Sequence, residues 1–327
     1  MSAPQPLHVE GDPLDAVRTA CAYVADRAEH VRIDTERLHA YARAIPRDAL
    51  RAAQPLHFDG LGPTAEERSA FVLALDAINF GSGYWPWLRK RPGLSGYRTV
   101  EACLLDVLHA RGPLSASALA QTTASECATI FGQELEPPID ELMELFARAW
   151  RELGALVQER YAGRFASLVA DAGGECRRAI EILLELPLFR DVSLYRGRPI
   201  PLLKRAQIAV ADLAAVCPPP LDAFRDLDRL TIFSDNLVPH VLRLDGVLRF
   251  TPELIARIDA EELLEPGSPE EVEIRACAVH AVERIAARRR EQGRPCAPHA
   301  LDRWLWTRGG RPEYKAHRRH RAQSWFY

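Results

Sequence analysis

The chain has 327 residues, 47% hydrophobic and 27% charged, with a formal net charge of −3 at pH 7. That balance is ordinary for a globular protein, and the length allows one large domain or two lobes with a substantial core. It argues against a protein that grips duplex nucleic acid, which is usually basic, and no run approaches the ~20 apolar residues of a membrane span.

The cysteines (Cys21, Cys103, Cys127, Cys176, Cys217, Cys277 and Cys296) are scattered singly, with no CxxC and no Cys–His pairing at zinc spacing. They read as reduced, buried small residues of a cytoplasmic protein, and no metal or cofactor is expected. The start, Met-Ser-Ala-Pro-Gln-Pro, lacks the basic-then-apolar order of a signal peptide.

Asp12-Pro13 gives a cap followed by proline at the first helical position. Leu14, Val17, Cys21 and Val24 then repeat at helical spacing, which predicts an amphipathic helix over residues 13–30. Asp34 opens a short helix that stops before Pro46, and His57 falls in the loop after it. Thr64-x-x-Glu67 is a capping box whose helix runs to Phe80. Gly81 to Trp87 is a glycine- and aromatic-rich turn, either a pocket rim or a cover over the core. Residues 98–110 and 115–131 give two more helices, the second containing Thr123-x-x-Glu126. After Pro138, the stripe Ile139, Leu142, Leu145, Phe146, Ala149, Leu153 predicts a central core helix of about 22 residues. Helices follow at 164–171 and 175–186. Residues 189–203 are the one good hairpin candidate, turning at Arg196-Gly197. Helix resumes over 204–216, from Asp235, near 251–263, over 268–291 and from His299 to Thr307. The arginine-rich stretch 311–321 reads as a solvated tail, with a phosphate contact as the alternative. The expected class is all-α, with at most a small β-hairpin.

No GxGxxG, P-loop, HExxH or GxSxG is present, which leaves a dehydrogenase, kinase, zinc protease or serine hydrolase without its machinery. Acids, aromatics and cations remain. In Leu230-Thr-Ile-Phe-Ser-Asp235-Asn-Leu-Val-Pro239, an apolar lead meets favoured cap residues. If Asp235 or Asn236 caps, Pro239 falls in the first turn, where its missing N–H costs no hydrogen bond. Asp235 then sits at the positive end of a helix, with Phe233 able to present a ring beside it. A carboxylate next to an aromatic face suits a site that holds a flat ring and stabilises a developing cation. A plain cap beside a core phenylalanine is the other reading. Lys204-Arg205 begin a helix, where cations oppose the dipole unless an anion is near. A phosphate would supply it, as would pairing of Arg205 with Asp212 or Asp191. Arg190, Tyr195 and Arg196 are weaker phosphate candidates.

Leu-Thr-Ile-Phe-Ser-Asp-Asn-x-Val-Pro resembles the signature of the queuosine salvage protein family, the queuosine 5′-phosphate N-glycosylases. Other stretches match in order: Pro55-Leu-His57, Asp76-Ala-Ile-Asn79-Phe80, Phe189-Arg-Asp191, Lys204-Arg-Ala-Gln207-Ile to Asp212, Glu271-Val-Glu-Ile-Arg275, and Leu301-Asp302-x-x-Leu305-Trp306. Asn236 and Thr307 depart from the family pattern, while Phe233 and Asp235 keep it.

The resemblance implies a single domain over residues 1–327, in two helical lobes with the active site between them, related to the helix-hairpin-helix DNA glycosylases. It implies a hydrolase that releases queuine and ribose 5-phosphate from queuosine 5′-phosphate, a small-molecule substrate, without a membrane or a stable nucleic-acid complex. Asp235 is then the catalytic carboxylate at the anomeric carbon. His57, Asn79, Phe233, Asp302 and Trp306 bind the base, with Asp302 accepting from its ring or amino N–H groups. Lys204, Arg205 and Tyr195 face the phosphate and ribose. The chain has no clear copy of the glycosylases' glycine-rich hairpin, which fits an enzyme with no duplex to hold. A DNA or RNA base-excision glycosylase and a non-catalytic helical binding protein are the alternatives.

Overall fold

Helix follows helix along the chain in a computed structural model, which describes residues 11–46, 60–219 and 224–327. In order the elements are α1 (Pro13–Ala25), β1 (Val31–Ile33), α2 (Thr35–Ala44), α3 (Ala65–Ala77), α4 (Gly96–Arg111), α5 (Ala116–Ala120), α6 (Ala124–Phe131) and α7 (Ile139–Tyr161). Next come α8 (Phe165–Asp171), α9 (Cys176–Leu183), β2 (Val192–Tyr195), β3 (Arg198–Pro201), α10 (Lys204–Val216) and α11 (Val238–Leu244). The chain continues through β4 (Leu248–Phe250), α12 (Pro252–Asp259), α13 (Pro269–Glu291), α14 (Pro298–Gly309) and α15 (Pro312–Lys315).

The described residues fall into two units. One holds 11–46, 191–207 and 226–323; the other holds 60–190, 208–219, 224–225 and 324–327.

The first unit is built on α13. Val272, Ile274, Ala276, Cys277, Ala278, Val279, Ala281 and Val282 are all buried, so the helix is covered on every side over its middle turns. α1 and α2 pack along it. Its buried charges organise the neighbouring loops. The Glu273 carboxylate accepts the backbone N–H groups of Glu29, His30 and Val31 at 3.1, 2.6 and 3.1 Å, which fixes the entry to β1. Arg289 donates to the carbonyls of Ala42 and Ile45, closing the end of α2. β1 pairs antiparallel with β4, Val31 opposite Phe250. Strands of three residues are too short for alternation to reveal. The predicted hairpin is present: β2 and β3 pair antiparallel, and Arg196 and Gly197 turn with φ of 50° and 76°.

The second unit is built on α7, the predicted core helix. Trp150 is fully buried and its Nε1 donates to the Ala74 carbonyl at 2.8 Å. Phe146 meets Phe80 and Phe131 edge-on at 5.1 and 5.4 Å. Gly154 lets α5 approach closely, since a Cβ there would lie 2.3 Å from the Ala120 nitrogen.

Residues 115–131 form two helices instead of the one predicted. The Thr123 hydroxyl accepts the Glu126 N–H, and the Glu126 carboxylate accepts the Thr123 N–H at 2.8 Å. A reciprocal cap starts a helix, so the previous one ends before it. The C-terminal stretch is not a solvated tail. Tyr314, His320 and Ala322 are 5%, 2% and 0% exposed.

Candidate active site

Leu230 to Ser234 are buried yet belong to no helix or strand. Buried backbone groups need partners, and side chains supply them. Gln207 Oε1 accepts the Thr231 N–H at 2.8 Å. Asp302 Oδ1 accepts the Phe233 N–H at 2.9 Å. Arg275 Nε donates to the Ser234 carbonyl at 3.0 Å, and the Ser234 hydroxyl donates back to the Arg275 carbonyl at 3.0 Å. Behind it, the Arg275 guanidinium grips both oxygens of Asp191 at 3.0 and 2.6 Å. Asp191 in turn accepts the Lys204 N–H at 3.1 Å, at the start of α10. Stretches that are far apart in the sequence therefore converge on one short segment.

That segment delivers Asp235. Its Oδ1 accepts the N–H groups of Leu237 and Val238 at 2.7 and 3.1 Å, and Pro239 sits in the first turn of α11. The expected helix cap is not formed: α11 starts at Val238, with Leu237 at its N-cap and no side-chain cap bond, and Asp235 instead closes a turn just ahead of the helix by accepting those two N–H groups. Asp235 is half-buried, while Phe233 and Asn236 are 8% and 3% exposed.

Asp302 lies on α14, 6% exposed. Burial, and next the negative charge of Asp235, push its carboxyl up to about 7; the Phe233 N–H, Lys204 and Arg303 oppose the shift. The two acids differ in environment: one half-exposed and held by backbone donors, the other enclosed and ready to hold a proton near neutrality. Trp306, half-buried, follows Asp302 by one helical turn and shares its side of α14.

The other predicted residues are placed as follows. Lys204 is 4% exposed, and its charge bears on Asp302. Arg205 is 1% exposed. The carboxylate of Asp191 already answers the positive end of α10, so the dipole argument does not call for a phosphate there. The Tyr195 hydroxyl is committed to the Arg27 carbonyl and to Glu273, at 3.0 and 2.8 Å. Asn79 belongs to the second unit, half-buried, its Nδ2 donating to Asp76 Oδ1 at 3.0 Å. His57 lies outside the described residues.

Burial lowers His240 to about 4 and His320 to about 3, so both imidazoles are neutral at pH 7. Among the described residues, no cluster of His, Cys, Asp or Glu could hold a metal ion, and no helix is long and apolar enough to cross a membrane.

Sequence reasoning quoted Asp191, Gln207 and Arg275 without giving them this role. The available signal was charge inside the apolar run of α13, because Arg and Glu are rarely buried unless paired. It also missed the packing of the C-terminal stretch. Asn236 Nδ2 donates to the His320 carbonyl at 3.3 Å, Arg243 donates to the Arg318 carbonyl at 2.8 Å, and the charge of Asp235 bears on Arg319.

The profile of a family described as "Queuosine salvage protein" matches residues 60–327. A protein of Sphaerobacter thermophilus named queuosine 5′-phosphate N-glycosylase/hydrolase is 37% identical, covering 97% of this chain and 99% of its own length. Proteins of the same name from Mus musculus and Dictyostelium discoideum are 28% and 27% identical, each over 97% of this chain and 100% of their own.

Proposed function

The chain belongs to the queuosine salvage protein family, and we propose from that premise that it hydrolyses the N-glycosidic bond of queuosine 5′-phosphate, releasing queuine and ribose 5-phosphate. The observation that carries a mechanism is the pair of acids in unlike surroundings. In this reaction the C1′–N bond breaks with its electrons leaving on the base, and a water oxygen bonds to C1′. The sugar passes through an oxocarbenium-like state. Asp235 supplies the opposing negative charge and orients the water, taking its proton as the bond forms. Its two backbone donors fix the carboxylate before the substrate arrives.

The departing base gains negative charge. A 7-deazaguanine has carbon where a purine has N7, so that charge must be relieved at another atom of its polar edge. Asp302 has its carboxyl raised to about 7 and its Oδ1 occupied by the Phe233 N–H, and these support reading the proton on Oδ2 and this acid as the donor. After transfer, the Asp302 carboxylate accepts from the base N–H groups, with Lys204 as its counter-charge. Phe233 and Trp306 flank the flat ring. Arg205 serves the ribose side. Tyr195 drops out, its hydroxyl being engaged elsewhere.

On the same resemblance, the helical fold is read as related to the helix-hairpin-helix DNA glycosylases, without a stable nucleic-acid complex. The reaction is cytoplasmic and returns queuine to tRNA modification.

The test is release of queuine from queuosine 5′-phosphate by the purified protein, followed by chromatography. Asn at position 235 can still accept the Leu237 and Val238 N–H groups, so Asp235→Asn is expected to keep its melting temperature and lose about 10²–10³-fold in turnover. Full turnover by this variant removes Asp235 from the chemistry. A non-catalytic helical protein would release no queuine in either form.

A further inference from the structure

Arg319 lies in the stretch that the sequence presents as a charged tail, and its neighbours are tied down on both sides. The Arg318 carbonyl accepts from Arg243 at 2.8 Å, and the His320 carbonyl accepts from Asn236 at 3.3 Å. One residue later, the Arg321 carbonyl accepts the Leu264 N–H at 2.8 Å, and the two chains form a parallel bridge at Leu263. The backbone at 319 is therefore held next to the segment that carries Asp235: Asn236 meets residue 320, and the charges of Asp235 and Arg319 act on each other.

The guanidinium is half-buried and makes no hydrogen bond or ion pair among the described residues. Its neighbours differ. Arg275 binds Asp191, Arg289 binds two backbone carbonyls, Arg308 binds Asp245, and Arg318 pairs with Glu261. A half-buried guanidinium with no hydrogen-bonded partner keeps its donor capacity for one that arrives. A position of that kind, whose charge bears on the carboxylate assigned to C1′, is set for an anion that arrives with the substrate. Arginine presents a rigid fork of donors that matches phosphate oxygens two at a time.

We infer that Arg319 binds the 5′-phosphate of the nucleotide, and that the C-terminal stretch is the part of the fold that favours nucleotide over nucleoside. The inference rests on the reading of Asp235 given above. It prefers Arg319 to Lys204 because Lys204 is enclosed, at 4% exposure, with its charge directed to Asp302.

The experiment compares wild type, Arg319→Gln and Arg319→Lys on queuosine 5′-phosphate and on queuosine, with Arg318→Gln as a neighbouring control. Losing a charge-assisted pair of hydrogen bonds is expected to raise the nucleotide KM of Arg319→Gln by about 10- to 100-fold, and the nucleoside KM far less. Arg319→Lys should recover part of the nucleotide KM. Inorganic phosphate should inhibit wild type competitively and Arg319→Gln weakly, a readout that a merely structural role would not move. Equal losses on both substrates, carried in kcat, would mean that Arg319 acts through Asp235, and would overturn the inference. So would an unchanged nucleotide KM. Should Arg319→Gln fail to fold, the lysine variant and phosphate inhibition decide in its place. Wild type that releases queuine from neither substrate would instead overturn the function proposed for the site, a distinguishable result.

Discussion

Two groups of buried charge occupy the first unit, and they are finished to different degrees. Along α13, Glu273 and Arg275 are 1% and 0% exposed. Glu273 takes three backbone N–H groups and a tyrosine hydroxyl. Arg275 takes a bidentate aspartate and a carbonyl. Around Asp235 the commitments are thinner. Asp302 has one backbone donor and a like charge beside it, and Arg319 has no hydrogen-bonded partner among the described residues. Both groups bear the desolvation cost of charge. Where partners saturate the charge, it fixes architecture; where capacity is left over, it waits for a ligand.

The contrast breaks first if α13 proves dispensable. Arg275→Met strands Asp191 in the interior and frees the Ser234 carbonyl, so a loss of about 3–5 kcal/mol in stability is expected. Pairing it with Asp191→Leu, which removes the stranded charge, should recover a large part. Chemical denaturation measures both. A cost well under 1 kcal/mol for the single variant would show that this ion pair is not what holds the active-site segment.

Asp302 sharpens the other side. Its folded carboxyl sits at about 7, above the ordinary 3.8. The protonated acid's contribution to stability is therefore fully present below about pH 3.8 and is lost as pH rises through about 7. Asparagine cannot ionise. Asp302→Asn is expected to be more stable than wild type at pH 8 by about 1–3 kcal/mol, with the gap closing towards pH 4. Turnover should fall by about 10²-fold. In wild type, kcat should decline as pH rises through about 7, and the variant's profile should be flat there. A variant as active as wild type, with an unaltered pH profile, would remove the acid role.

How much of this could be read from the chain differs by physical cause. Helices announced themselves through periodicity and caps: α7, α10 and α13 lie within a residue or two of their predicted bounds. The Thr123 capping box was seen, but its consequence, a break before it, was not drawn. Asp235 is legible as a turn-forming acid ahead of a first-turn proline, a local pattern, but not as the cap of α11, whose place Leu237 takes. The supports of Asp235 were not legible. Gln207, Arg275, Asp191 and Asp302 reach it from distant parts of the chain, and spacing cannot reveal which side chain satisfies which backbone group. The arginine-rich end misled for the opposite reason. Charge density argues for solvent, yet Tyr314, His320 and Ala322 between the charges are buried, and Arg319 rides in with them.

The smallest effect concerns the aromatics, and there the comparison runs between the units. Trp150 is fully enclosed in the second unit with its N–H satisfied by Ala74, so Trp150→Ala should cost about 3–5 kcal/mol of stability and leave no folded protein to assay for base binding. Trp306 is half-buried, on the same side of α14 as Asp302. If its open face stacks on the base, Trp306→Ala should weaken free queuine by about 10- to 100-fold, the usual worth of one aromatic stack, at much smaller cost in stability. Equilibrium binding of queuine beside a thermal melt separates the outcomes. Unchanged affinity with a core-sized loss of stability would put Trp306 with Trp150, as packing, and leave Phe233 alone against the ring.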